Sequence, residues 1–367
     1  MLTPYTDSSP FISSENDWSE EKILDSIRQM KEELRQRVVI LAHHYQSDQI
    51  ISFADETGDS LELAKKVSRY ADREYIIFCG VRFMAETAKM LAGPHQKVIL
   101  PDLEALCSLA DMATSNDVES AWETILQFIP PTVIPITYIN SSSDLKAFVG
   151  RKNGYVCTSS NADKIIRHAL QEGERLFFFP DQHLGRNTCY QMGIPLEKMP
   201  VYHPHLPSGG LSEKQIKESR VLLWHGYCSV HQGFSVQQVK QVRKKDPDAK
   251  ILVHPECPFD VVEASDMAGS TSFIINHIDQ AALGTRFAVG TEINLVNRLA
   301  IKHFPVKTVY SLSPFQCLCT TMYRIRPFWL MKSLEAVREE KEFNHITVPE
   351  ETARMALKAL ENMFRQS

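Results

Sequence analysis

Runs of β-favouring apolar residues that stop abruptly at polar groups recur along the chain. Ile251-Leu252-Val253 runs into His254-Pro255-Glu256-Cys257, and Val38 to Ala42 into His43-His44-Tyr45-Gln46. Val133 to Ile136 leads to Tyr138-Ile139-Asn140-Ser141, and Val221 to Trp224 to His225-Gly226-Tyr227-Cys228. An unbroken apolar run closed by a turn reads as a strand buried on both faces, as in parallel sheets. Ligands of such sheets bind beyond the carboxyl ends of the strands. Four endings of this kind predict one polar site assembled from many strand ends.

Helical periodicity fills the intervals. Ile23, Leu24, Ile27, Met30 and Leu34 share one face of a helix expected to start near Asp17, with Glu20 as its capping partner. Helices and strands then alternate at short intervals, which predicts α/β architecture with parallel sheets. The expected strands include 74–78, 97–100, 175–179, 220–224, 250–254, 272–275, 286–289 and 307–310. Helices are expected at 161–171, 235–245 and 259–268, with a capping box at Ser212 and Gln215. The rhythm divides into three similar α/β/α domains in a pseudo-threefold arrangement about a central site. A polar tail covers 1–16, and the domains span 17–107, 108–219 and 220–325. Two last helices, near 320–340 and 349–364, are expected to place residues 326–367 on the first domain. The repetition is architectural; no sequence repeat is visible.

Composition narrows the classes. With 43% hydrophobic and 23% charged residues and a formal net charge of −5, the chain fits a soluble globular protein and argues against a nucleic-acid surface. No apolar run approaches the ~18 to 20 residues that span a membrane. The polar N-terminus lacks the features of a secretory signal, so a reducing cytoplasm is the expected setting. Eight cysteines then point to metal binding or reactivity more than to structural bridges. Only Cys317 and Cys319 are close, which excludes finger and ferredoxin spacings. Any metal site must be assembled by the fold, and Cys107, Cys228 and Cys319 each follow the end of an expected strand. Three thiolates suit an iron–sulfur cluster with one iron lacking a protein ligand; scattered buried cysteines acting as small hydrophobes are the alternative.

Several motifs carry a resemblance in order along the chain. They are Ala42-His-His-Tyr-Gln46, Gly58-Asp-Ser-Leu-Glu-Leu-Ala64, Gly80-Val-Arg-Phe-Met-Ala-Glu86 and Cys107-Ser-Leu-Ala110. Tyr138-Ile-Asn140, Cys157-Thr-Ser-Ser-Asn-Ala162 and Phe179-Pro-Asp-Gln-His-Leu-Gly185 follow. Trp224-His-Gly-Tyr-Cys228, His254-Pro-Glu-Cys257, Gly269-Ser-Thr271 and Cys319-Thr-Thr-Met322 complete the series. In these motifs the chain resembles the quinolinate synthase family in its longer form, over about residues 38 to 325.

The resemblance implies condensation of iminosuccinate with dihydroxyacetone phosphate to quinolinate, phosphate and water in NAD biosynthesis. It implies a [4Fe-4S] cluster held by Cys107, Cys228 and Cys319, with an open iron as Lewis acid. Cys319 matches the family's third cysteine, leaving Cys317 as a packing thiol; Cys79, Cys157, Cys189 and Cys257 are also expected to pack. Tyr45 and Glu256 match the main proton carriers, assisted by His43 and His254, which also contact substrate. Ser60, Tyr138, Asn140, Ser159 and Thr271 match positions that bind carboxylates or phosphate. From the residues alone, Ser60, Ser159 and Thr271 read first as helix N-caps, and only the resemblance turns them into ligand contacts. His44, His183, His203, His205, His225 and His231 are expected to be structural or surface groups. The pathway implies an L-aspartate oxidase or aspartate dehydrogenase as the source of the imine. Two other classes compete: a non-catalytic iron–sulfur or zinc sensor, and a clamp for a small ligand.

Overall fold

The strands lie in three sheets whose pairings are all parallel. The computed structural model describes residues 18–315 and 317–366; the predicted tail, 1–16, lies outside them, as does Asp17. The first sheet holds β1 (Val38–His43), β2 (Glu56–Gly58), β3 (Tyr75–Cys79) and β4 (Lys97–Ile99), in the order β2-β1-β3-β4. All six residues of β1 are buried, as an unbroken apolar run in a sheet covered on both faces requires. The second sheet holds β5 (Val133–Tyr138), β6 (Tyr155–Cys157), β7 (Arg175–Phe179), β8 (Val201–Tyr202) and β9 (Val221–Trp224), in the order β6-β5-β7-β9-β8. The third holds β10 (Lys250–Val253), β11 (Met267–Ala268), β12 (Arg286–Gly290) and β13 (Thr308–Ser311), in the order β11-β10-β12-β13. Each sheet therefore begins second-first-third. The crevice of such an order opens where the chain reverses direction, beside the first strand.

The third sheet shows the layering most plainly. Ile251 and Val253 of β10 pack into one apolar cluster and Leu252 into another, so alternate side chains serve cores on opposite faces. Burying a side chain of this size stabilises by about 1.5–3 kcal/mol.

Five expectations are corrected. The helix expected at 259–268 is Phe259–Ala264, and its last part is the strand β11. Val221–Trp224 does not open the third domain: β9 pairs with β7 through Leu176↔Val221 to Phe178↔Leu223, so the second domain extends past 219. The two C-terminal helices part company. Pro327–Arg338 packs on the first domain's core through Leu330, Met331 and Leu334, as expected. Glu350–Arg365 instead packs Ala356, Ala359, Leu360 and Met363 into the second core. Gly150 permits that docking, because a Cβ there would lie 1.9 Å from the Met355 carbonyl oxygen. The stretch 272–275 is not a strand. Ser270 caps a helix, Thr271–Gln280, by accepting from the Phe273 N–H, and Ile274 and Ile278 form its buried stripe. Finally, the first helix starts at Glu20, with Ser19 as N-cap accepting from Lys22.

Candidate active site

The carboxyl ends of the three sheets line one central cavity, and all the candidate residues meet there. Their placement follows one plan. The first strand of each sheet delivers a polar pair: His43 and Tyr45 after β1, Tyr138 and Asn140 at the end of β5, His254 and Glu256 after β10. The second strand delivers a hydroxyl beside a helix N-terminus: Ser60, Ser159 and Thr271. Beyond the last paired stretch of each domain comes a cysteine: Cys107 after β4, Cys228 after β9, Cys319 after β13.

The histidines of the first and third domains are held alike. Nδ1 of His43 accepts the Tyr45 backbone N–H at 3.1 Å, and Nδ1 of His254 accepts that of Glu256 at 3.3 Å. In the neutral ring each Nε2 therefore carries the hydrogen. Burial brings both imidazoles down to about 3, so they stay neutral at physiological pH.

Tyr45 and Glu256 take opposite states. Burial pushes the Tyr45 phenol well above its ordinary range, against hydrogen bonds with Thr271 (3.0 Å) and Thr291 (2.9 Å). It is a protonated acid. Burial also pushes the Glu256 carboxyl up, but the His254 and His231 imidazoles and hydrogen bonds from His231 and Tyr138 outweigh it and hold Glu256 below the usual carboxylate range. Because His254 is itself neutral, that effect near pH 7 falls to His231 and the hydrogen bonds. Tyr138 donates to Oε1 at 2.5 Å and His231 Nδ1 lies 3.0 Å from Oε2. Glu256 is an ionised base. Behind it, burial and the Glu256 charge push the Asp181 carboxyl well up, which keeps that second acid neutral.

The helix N-termini converge on the first domain's Asp59. Its Oδ1 accepts the Leu61 and Glu62 N–H groups, while Oδ2 accepts the hydroxyls of Ser160 (3.1 Å) and Ser272 (2.8 Å) from the other two domains. One carboxylate thus ties three domains beside Ser60, Ser159 and Thr271. Asn140 is left with a need: its buried Oδ1 has no hydrogen-bond partner among the described residues. Such an orphan marks where a ligand would bond.

The three cysteines fit a shared metal group. Burial, then the neighbouring Cys319, pushes the Cys107 thiol to about 12. Burial, Glu256 and both other cysteines push Cys228 well up, and burial raises Cys319. All three line the one cavity, and thiolates gathered in such a cavity need a bound cation to balance them. Cys317 stands apart, packed on the third domain's core beside Cys257. A second donor set overlaps the first, since ligand atoms of Cys228, His231 and Glu256 lie within 4.8 Å of one another.

His231 corrects the sequence reading. Expected to be structural, it is 1% exposed, lines the cavity and stacks on His254 with ring centres 4.3 Å apart. The signal for it is the Cys228-x-x-His231 spacing, which puts both on one helical face. Thr291 gave no signal, yet it bridges Tyr45 and His231 (3.3 Å).

A family model described as "Quinolinate synthetase A protein" matches residues 25–365. The chain is 49% identical to a quinolinate synthase of Geobacillus sp. (strain WCH70), covering 92% of both chains. It is 48% identical to those of Anoxybacillus flavithermus, covering 95% of both, and Corynebacterium glutamicum, covering 94% of this chain and 88% of the relative. Among the described residues no helix is long and apolar enough to cross a membrane.

Proposed function

The chain belongs to the quinolinate synthetase A protein family, and from that premise we propose that it condenses iminosuccinate with dihydroxyacetone phosphate. The products are quinolinate, one phosphate and two waters, which balances all atoms. We propose further that Cys107, Cys228 and Cys319 hold a [4Fe-4S] cluster. When bound, it supplies Lewis acidity at the iron that has no protein ligand. The observation that carries the reading is the pairing, within one cavity, of an ionised carboxylate and a neutral phenol beside three cysteines.

Both substrates are anionic, and burying an anion without partners is costly. Ser60, Ser159 and Thr271, with the helix ends beside them, offer donors to carboxylate or phosphate oxygens. The Asn140 amide is free to bond a substrate. His43 and His254, neutral with hydrogen on Nε2, donate without adding charge. Triose isomerisation, carbon–carbon bond formation and the dehydrations each move protons. Glu256 accepts a proton at a carboxylate oxygen and Tyr45 gives one from its hydroxyl; positioned groups of this kind contribute about 10²- to 10⁴-fold. Tyr138, donating to Glu256, keeps that carboxylate aimed into the cavity. An oxidase or dehydrogenase acting on aspartate would supply the unstable imine.

The sensor reading has one observation in its favour, the Cys228–His231–Glu256 donor set, which suits zinc. One experiment separates the two. Protein reconstituted anaerobically with iron and sulfide should gain charge-transfer absorbance, and should form quinolinate from dihydroxyacetone phosphate and imine generated in situ. Zinc uptake at those three residues with no visible chromophore and no product would overturn the enzymatic reading.

A further inference from the structure

Tyr45 belongs to the first domain and packs on that domain's core, but the partners of its hydroxyl and its carbonyl belong to the third. Its hydroxyl sits between Thr271 and Thr291. Its main chain is gripped by the helix Ile293–His303. Asn294 Nδ2 donates to the Tyr45 carbonyl at 3.2 Å, and Arg298 Nη1 to the Gln46 carbonyl at 3.2 Å. Arg298 Nη2 donates to the His44 carbonyl, and Nη1 also reaches Asp48 Oδ1 at 2.5 Å. Three consecutive carbonyls are therefore taken by two side chains one helical turn apart, on the same face of the helix. A planar guanidinium serves several acceptors at once in a fixed fork, which an ammonium cannot do.

We propose that Arg298 and Asn294 are positioning residues that set the Tyr45 hydroxyl against the cavity by holding its loop across the domain boundary. This rests on the role given to Tyr45 above. Misplacement of a reacting group by about 1 Å costs on the order of 10²-fold, so the grip should be read in turnover more than in affinity. The Arg298 side chain is 23% exposed, which leaves its slot open to a solute.

The test compares Arg298→Ala, Arg298→Lys and Tyr45→Phe with the parent holoenzyme. Arg298→Ala should lower kcat by about 10-fold or more, with KM values changed less and cluster absorbance kept. Arg298→Lys should not recover the parent rate. Millimolar guanidinium should partly restore Arg298→Ala and leave Tyr45→Phe unchanged. In parallel, protein labelled with 3-fluorotyrosine, its Tyr45 resonance assigned by Tyr45→Phe, should show that resonance moved in Arg298→Ala and returned by guanidinium. A parent-like kcat in Arg298→Ala would overturn the proposal. So would loss of rate together with cluster and melting temperature and no rescue, which marks a merely structural residue. If the parent forms no quinolinate, the functional reading falls, and an unmoved Tyr45 resonance in Arg298→Ala would then sink the grip independently.

Discussion

The loop His43-His44-Tyr45 of the first domain and the loop His254-Pro255-Glu256 of the third share a leading histidine and differ at the two positions after it. Both follow the first strand of a sheet, and both use imidazole Nδ1 to accept the N–H two residues on. Both bury the ring enough to keep it neutral. The third position differs: a phenol whose burial keeps it protonated, against a carboxylate held ionised by Tyr138 and His231. One scaffold thus holds a protonated phenol in one domain and an ionised carboxylate in another, according to the third residue and its hydrogen-bond partners. The second domain shows the limit of the repeat. Its β5 ends in Tyr138-Ile139-Asn140, with no imidazole, and serves the third domain's base.

The largest effect should come from removing the cysteines that line the cavity both loops face. Cys107→Ala, Cys228→Ala and Cys319→Ala should each abolish quinolinate formation and lower bound iron, measured by iron analysis and product assay. Cys317→Ala, altering a thiol on the third domain's core, should keep both. A Cys319 variant that retained a full complement of iron and activity would show that the loops do not share a cluster held by this trio.

Next come the residues that distinguish the loops. Glu256→Gln and Tyr45→Phe should each lose about 10²-fold or more in turnover, with iron content near that of the parent. Their pH profiles should differ as well. The limb lost in Glu256→Gln should belong to the base, and Tyr45→Phe should leave that limb in place. Cluster loss in either, with substrate binding intact, would assign the residue to support of the metal group.

Much of this site was legible because strand ends are. An apolar run that stops at His43 or His254 marks both the strand and the face on which its ligands lie. Domain membership was less legible. Val221–Trp224 reads identically whether it opens one sheet or inserts into another, since burial on both faces erases any directional pattern. Ser272-Phe273-Ile274-Ile275 shows β-favouring residues, but the cap at Ser270 and the partner Ile278 make it helical. His231 and Thr291 were missed for a different reason. Their partners lie 25 to 246 positions away, and apart from the Cys228-x-x-His231 spacing their own neighbourhoods carry no sign of the network they complete.

The hydroxyls beside the helix ends should give a smaller effect, and an unequal one. Ser159→Ala removes a donor to an anionic ligand, for about 1.5–3 kcal/mol, or roughly 10- to 150-fold in Kd. Thr271→Ala removes the same kind of donor and also a partner of Tyr45. Anaerobic titration with quinolinate should show weaker binding in both, with only Thr271→Ala losing turnover beyond the binding defect. Parent-like affinity in both would show that neither hydroxyl binds the ligand, since Asn161 and Ser270 hold the N-cap positions.

The finest test asks whether the two histidines are equivalent. Their folded-state values near 3 lie below the ordinary value of about 6.5. As the pH falls below 6.5, the unfolded chain binds protons that the folded chain refuses, so their stabilising contribution is full above that pH and declines toward 3. From pH 6.5 to 5.5 each should remove about 1 kcal/mol of stability. His43→Asn and His254→Asn keep an oxygen able to accept the N–H two residues on, but cannot be protonated. Urea unfolding at the two pH values should therefore show a drop about 1 kcal/mol smaller in each variant than in the parent, and about 2 kcal/mol smaller in the double variant. Equal decrements would mean that both loops bury the same neutral ring in the same way, and that their chemistry diverges only at Tyr45 and Glu256. A drop unchanged from the parent in one variant would show that its histidine is protonated in the folded protein, and the two loops would not be one scaffold.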